Sequence, residues 1–230
     1  MAYNTPIVFT CDIDWAPEFA IDYTIDFFEN LGIKLTLFAT HSSNVVKSSG
    51  LEIGIHPYLS RVTEPDYQKV INDLKNIYPD AIGSRTHRNY FGYTTPKYLT
   101  NAGLKYDISV VNWLQPSFGN LHFSGLKTFT YSWEDGLHFD YKLRLTHKAL
   151  PYKKDVCIFN IHPIVIYLNQ DKEEIRKAAL KGIKDLTKVK QSHIDQYIHK
   201  DYGIKNIITD FTLNKKSIEL NQFINSYFKI

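Results

Sequence analysis

Val8-Phe9-Thr10-Cys11-Asp12-Ile13-Asp14-Trp15 is the stretch that decides how the rest of the chain is read. Pro6 to Cys11 has the apolar, β-branched character of a buried strand, and it runs directly into two carboxylates. Side chains alternate along a strand, so Asp12 and Asp14 are expected on one face at its C-terminal end. Two acids that close repel each other unless one meets a cation and the other a proton. A turn carrying solvated aspartates is the plainer alternative. Two other strand-like runs, ending at His56 and His162, favour a shared site.

Working outward, strands are expected at Lys34–Thr40, Leu51–Ile55, Ala81–Ser84, Lys105–Val110, Lys127–Tyr131, Asp155–Ile161 and Asn206–Phe211. Helical spacing of apolar residues predicts helices over Glu18–Asn30, Pro65–Tyr78, Thr95–Ala102, Asp171–Val189, His193–His199 and Lys216–Phe228. Leu114–Leu126 reads as an irregular surface excursion, and Phe139–Thr146 fits either element. No repeat, low-complexity tract or linker interrupts the 230 residues, which are read as one domain, 1–230. Alternating strands and helices predict a parallel α/β fold, and the length suits a (β/α) barrel. Asp12, Asp14, His56, Arg85, His87, Glu134, Asp135 and His162 all fall just past strand ends, where such barrels place their chemistry.

Composition narrows the class. The chain is 43% hydrophobic and 22% charged, with a net charge of +3 and no long like-charge run, so nucleic acid is not indicated. Cys11 and Cys157 both fall in expected strands and read as buried thiols. Met1-Ala2-Tyr3-Asn4-Thr5-Pro6 lacks the basic and apolar regions of a signal peptide, and no apolar run reaches transmembrane length. The expectation is a cytoplasmic protein without membrane insertion.

These residues resemble the motifs of the polysaccharide deacetylases, the NodB-homology or carbohydrate esterase family 4 group. Thr10-Cys11-Asp12-Ile13-Asp14 is similar to the first motif, usually Thr-Phe-Asp-Asp. Glu52-Ile53-Gly54-Ile55-His56-Pro57 is similar to the second, Arg85 to the third-motif arginine, and Phe159-Asn160-Ile161-His162 to the last. Gly103 to Ser109 resembles the stretch after the third motif, with Asp107 read as structural. The first motif carries one extra residue between its aspartates. The second normally has two histidines four apart, both metal ligands; here Ser60 stands at the later position. The divergent WbmS-like branch, associated with bacterial surface-polysaccharide clusters, is closer. His56-Pro57, Arg85-Thr86-His87, Trp133-Glu134-Asp135, and His162-Pro163 with Tyr167-Leu168-Asn169 match its pattern.

The resemblance implies a distorted (β/α)7–8 barrel and a metal-dependent hydrolase that removes an acetyl group from an N- or O-acetylated sugar. It implies one divalent ion, Zn²⁺ foremost with Fe, Co or Ni as alternatives, held by Asp14 and His56. We assign the third ligand to His87. Asp12 is then the general base, Arg85 its partner, and His162 the acid for the leaving group. Tyr58, Trp133, Glu134 and Asp135 are expected at the substrate, although core packing or a capped turn would also account for them. The expected substrate is a nucleotide- or lipid-linked glycan of surface-polysaccharide (O-antigen or capsule) synthesis. The missing second-motif histidine leaves open an inactive barrel that binds glycan or a protein partner.

Overall fold

A computed structural model describes residues 6–146, 150 and 158–228. The strands are β1 (Val8–Asp12), β2 (Leu35–Ala39), β3 (Glu52–Ile55), β4 (Gly83–Ser84), β5 (Tyr106–Val111), β6 (Gly119–Leu121), β7 (Lys127–Tyr131), β8 (Trp133–Glu134) and β9 (Ile158–Ile161). The helices are α1 (Glu18–Asn30), α2 (Asn44–Ser48), α3 (Tyr67–Ile77), α4 (Thr95–Asn101), α5 (Asp135–Asp140), α6 (Pro163–Tyr167), α7 (Glu173–Ala179), α8 (Gln191–Ile194), α9 (Ile204–Thr212) and α10 (Leu220–Tyr227).

The sheet order is β6-β7-β5-β4-β3-β2-β1-β9-β8, with every pairing parallel except β6 with β7. β7 and β8 are two halves of one run of chain. The first half pairs with β5 and the second with β9, and between them Ser132 N donates to Ile158 O (2.8 Å). That change of partner closes the sheet on itself, giving the distorted barrel. Strands buried on both faces are rich in apolar residues, as the fully buried β1, β2 and β9 are, and their polar members Thr10, Asp12, Thr36 and Asn160 are hydrogen-bonded within the barrel. No helix among the described residues is long and apolar enough to cross a membrane.

Alternation divides the barrel interior from its outer layer. Phe9, Cys11, Leu35 and Leu37 belong to the core under the helices, whereas Val8, Phe38, Tyr106, Phe129, Tyr131 and Ile158 form an inner cluster with Leu220 and Phe223 of α10. Glu52 anchors α10 there: its carboxylate accepts from Asn221 N (2.9 Å to Oε2), Thr36 Oγ1 (3.1 Å) and Tyr106 OH (2.6 Å). The lower interior is therefore sealed, and only the C-terminal end of the strands is open to chemistry.

α1 follows its expected pattern, burying Ala20, Ile21, Thr24, Ile25 and Phe28, and Gly32 ends it in the left-handed conformation (φ 67°). Asn206–Phe211, expected as a strand, is helical within α9. Ile204, Ile207, Ile208 and Thr212 are buried at helical spacing, so the β-branched run follows tertiary packing rather than propensity. The expected helix over Asp171–Val189 is limited to α7, because Gly182 turns left-handed (φ 78°) and only a 3-10 turn, Leu186–Lys188, follows. His193–His199 is split into α8 and a 3-10 turn, Asp195–Tyr197. The excursion at 114–126 contains β6. Cys11 is buried as expected, whereas Cys157 and the start of the strand expected over Asp155–Ile161 lie outside the described residues.

Two predictions concern the barrel interior. A Cβ at Gly83 would sit 1.9 Å from Tyr106 Cζ. Gly83→Ala should cost about 1–3 kcal/mol through forced repacking, read as a lowered melting temperature; an unchanged melting curve contradicts the close approach. Asp107 is fully buried, accepts from Ser84 Oγ (2.6 Å) and Ser109 N (2.9 Å), and burial lifts its pKa to about 6. The unfolded value is about 3.9, so the folded state holds the proton more tightly. Its contribution to stability is complete below pH 4 and lost as pH rises through 6, up to about 3 kcal/mol. Wild type should therefore lose stability relative to Asp107→Asn between pH 4 and 7 in urea titrations; a constant difference sinks the assignment.

Candidate active site

β1 ends at Asp12, so strand alternation is not what brings Asp14 to the site. The chain turns at Ile13–Ala16, with Ala16 N donating to Ile13 O (2.6 Å), and Asp14 (φ 37°) and Trp15 (φ 54°) both take left-handed backbone. That conformation costs roughly 1–2 kcal/mol per L-residue. Trp15 N donates to Thr40 Oγ1 (3.0 Å), which pins the turn to the end of β2.

The turn aims Asp14 at two histidines. Asp14 Oδ1 lies 3.2 Å from His56 Nε2 and 3.2 Å from His87 Nδ1, and those nitrogens are 3.2 Å apart. His56 Nδ1 is 2.6 Å from the Arg85 carbonyl, which can only accept. The neutral ring therefore carries its proton on Nδ1, and Nε2 is the nitrogen turned toward the cluster. His87 N donates to Pro57 O (2.9 Å), and the His87 ring is packed edge-on against Trp15 and Tyr58. Asp14 Oδ1 is buried without a hydrogen-bond partner. Burial opposes ionisation of Asp14, but the His56 and His87 contacts outweigh it and hold the carboxyl well below its usual range. An orphaned carboxylate oxygen beside two imidazole nitrogens is the donor set of a catalytic divalent-metal site with positions left open. The residues fit such an ion.

Beneath this cluster lies a buried ion pair. Arg85 is fully buried; its Nη1 donates to Asp12 Oδ1 (2.9 Å), Thr10 Oγ1 (2.9 Å) and Asn160 Oδ1 (2.5 Å), and its Nε to Ile108 O (3.1 Å). Phe38 and Tyr131 each present a ring 4.7 Å from the guanidinium carbon. Asn160 Nδ2 donates to the other Asp12 oxygen, Oδ2, at 2.8 Å, and that oxygen is 3.7 Å from His56 Nε2. Sequence reasoning missed Thr10 and Asn160. The signal was there: each stands two residues before a site residue, Asp12 and His162, and so shares its face.

Across the cavity, His162 Nδ1–H donates to Asp135 Oδ1 (2.5 Å), while Asp135 Oδ2 accepts from His162 N (2.8 Å). Nε2 is left facing the cavity, 3.4 Å from Asp14 Oδ2. Burial works against a charged His162, but Asp135 and then Asp14 and Glu134 raise its pKa well above the ordinary imidazole value. Glu134 lines the cavity and accepts from Tyr131 OH (2.5 Å); burial raises its pKa.

A cavity of about 350 Å³ thus gathers Asp12, Asp14, His56, His87, Glu134 and His162, with Arg85 beneath them. Tyr58 is half-buried beside it. Two residues expected at the substrate are placed otherwise. Trp133 is fully buried in the outer core, because the switch of partner at Ser132 breaks the alternation between Tyr131 and Trp133. Asp135 is fully buried and committed to His162.

The fold and cluster define an α/β barrel with a carboxylate–histidine site at its open strand ends. The chain belongs to the WbmS-like polysaccharide deacetylase family, whose model matches residues 9–179. A Bordetella bronchiseptica protein described as a candidate polysaccharide deacetylase involved in O-antigen biosynthesis (WbmS) superposes with a TM-score of 0.80. It shares 20% identity over 93% of this chain and 92% of that one. A candidate polysaccharide deacetylase from Mycobacterium smegmatis gives 0.63 at 12% identity, over 99% and 91%. A 4-alpha-glucanotransferase from Thermococcus litoralis gives 0.54 at 12%, over 97% of this chain and 38% of that one, so the barrel alone does not name the chemistry. A comparison with curated protein sequences finds no match.

Removing one member of a buried ion pair strands the other, at about 3–5 kcal/mol. Arg85→Leu should lose stability on that scale in denaturant titrations, and adding Asp12→Asn should restore part of it. Wild-type stability for Arg85→Leu alone would contradict the network.

Proposed function

We propose that this chain is a metal-dependent hydrolase that removes an acetyl group from an N- or O-acetylated sugar. The observation that carries the reading is the orphaned Asp14 Oδ1, 3.2 Å from each of two histidine nitrogens, with Asp12 and His162 at the same cavity. Asp14, His56 and His87 would hold the ion, with Zn²⁺ the best match to two imidazoles and a carboxylate and Fe, Co or Ni the alternatives. Such an ion supplies an acidified water and polarises the acetyl carbonyl.

The remaining work falls to the chain's own groups. Asp12 takes the proton of the attacking water, and Arg85 and Asn160 fix its carboxylate in direction. His162 in its charged form gives the proton at Nε2 to the departing amine or alkoxide, and Asp135, which accepts from Nδ1–H, stabilises that imidazolium. Glu134 offers a carboxyl oxygen to sugar hydroxyls, and the Tyr58 ring flanks the sugar. The O-antigen role described for the Bordetella relative supports a place in bacterial surface-polysaccharide synthesis, and the substrate of this reading is a glycan linked to a nucleotide or lipid.

Elemental analysis should find about one ion per chain, the number a single three-ligand site holds. Acetate release from a panel of acetylated sugar nucleotides should then be abolished by chelation. His87→Ala should lose the ion. Asp12→Asn should keep it and lose roughly 10²–10⁴-fold in kcat, the usual worth of a general base. No uptake after loading with excess Zn²⁺ would remove the ligand set; a bound ion without acetate release would remove the substrate assignment.

A further inference from the structure

Two arginines beside the cavity have no role in the chemistry above. Arg88 lines the cavity and follows His87 directly in sequence. Its guanidinium carbon lies 5.7 Å from the centroid of the Tyr58 ring, and that of Arg61 lies 5.0 Å from the same centroid. Both residues are exposed, and among the described residues neither is ion-paired with a carboxylate. By contrast, Arg85 is paired with Asp12 and Arg176 with Glu173. Two guanidinium groups thus share one aromatic ring, and neither is matched by a carboxylate among the described residues. Arg88 (φ 59°) and Asn89 (φ 54°) are also held in left-handed backbone, at a cost their local sequence does not require.

We propose that Arg61 and Arg88, mounted on Tyr58, form an anion subsite at the cavity mouth that receives the phosphate or diphosphate of the acetylated sugar. The inference rests on the deacetylase reading and narrows its substrate to an activated, phosphate-linked sugar rather than an internal unit of a neutral polymer. A guanidinium fork matches phosphate oxygens in two parallel hydrogen bonds, and two forks match a diphosphate. Consecutive Cα atoms are about 3.8 Å apart, so Arg88 and the proposed metal ligand His87 address adjacent parts of one ligand. The acyl group meets the cluster while the phosphate on the same sugar meets the arginines. Trp15, half-buried with its ring centroid 5.6 Å from that of Tyr58, extends the aromatic surface between them.

The test has a binding arm and a turnover arm. In the first, uridine diphosphate and inorganic diphosphate are titrated calorimetrically into the protein as isolated, into Arg88→Ala, Arg61→Ala and the double variant. Each substitution should weaken both ligands about tenfold and flatten the salt dependence. Diphosphate binding through a metal alone would be indifferent to either arginine, and that result overturns the proposal. Tighter binding of uridine diphosphate than of diphosphate identifies a nucleotide-linked sugar. Equal affinities, both lost in the double variant, identify recognition of the diphosphate itself, as on a lipid carrier. In the second arm, kcat/KM is compared for an acetylated sugar 1-phosphate and its neutral methyl glycoside. Wild type should prefer the phosphate, and Arg88→Ala should reduce that preference about tenfold; a preference identical in the two proteins overturns the proposal. Should no acetylated sugar be turned over, the deacetylase reading fails, and the titrations alone decide the anion subsite.

Discussion

The Arg85–Asp12 ion pair is the constraint on which the site depends. Burying a guanidinium completely costs several kcal/mol unless its donors are met and an anion sits beside it. Here Nε and Nη1 are met by Ile108, Thr10, Asp12 and Asn160, Nη2 has no hydrogen-bond partner, and two aromatic faces enclose the ion. The same residue organises its neighbours through its backbone. Its amide donates to Ile55 O, its carbonyl fixes the His56 tautomer, and two residues on stands His87. Proposed base, first nitrogen ligand and second nitrogen ligand are therefore all referred to one buried side chain and the peptide groups that flank it.

Carboxylates crowd the open end of the barrel. Asp12, Asp14, Glu134 and Asp140 line one cavity together with Arg88 and Arg176, while Asp135 lies behind His162 and Arg85 pairs with Asp12 beneath. Asp135 is matched by His162 and Asp12 by Arg85, which leaves Asp14 facing two imidazoles. Left-handed backbone occurs in consecutive pairs at the two turns that build this corner, Asp14–Trp15 and Arg88–Asn89. Strain of that kind persists where surrounding contacts over-determine it. Here the Trp15–Thr40 and His87–Pro57 hydrogen bonds supply those contacts.

The strands that carry the site were legible because a strand buried on both faces is largely apolar, and the charged or imidazole side chain just past its end then stands out. Val8 to Cys11, Ile53 to Ile55 and Ile158 to Ile161 have this form, interrupted by Thr10 and Asn160, and each leads to a residue of the cluster. Three features were hidden. Asn206–Phe211 has strand propensity but packs as a helix, since Ile204, Ile207 and Ile208 find their partners along one helical face. Trp133 has the look of a sugar-stacking residue, yet the partner exchange at Ser132 turns it into the outer core and leaves Glu134 facing the cavity. Thr10 and Asn160 look like ordinary strand residues, and their place in the Arg85 network depends on which strands adjoin.

The proposed shift of a ligand from the position of Ser60 to that of His87 is consistent with how the two loops meet. Histidines four apart come within reach of one ion where the chain between them is helical, since on a strand they stand about 13 Å apart. After His56 the chain instead passes through Pro57 and Tyr58 in non-helical conformation before a 3-10 turn, Leu59–Arg61, which leaves Ser60 exposed. The loop after β4 is tied to this one twice, by His87 N to Pro57 O and by His56 Nδ1 to Arg85 O, so a side chain on either loop can reach Asp14. Once the nitrogen comes from the later loop, the earlier one is relieved of coordination. It is then free to present Tyr58 and Arg61 at the cavity mouth, beside Arg88 on its neighbour. Under the proposed ligand set, the departure from the family's second motif leaves three donors in place, and on the proposed anion subsite it changes what a substrate meets on the way in.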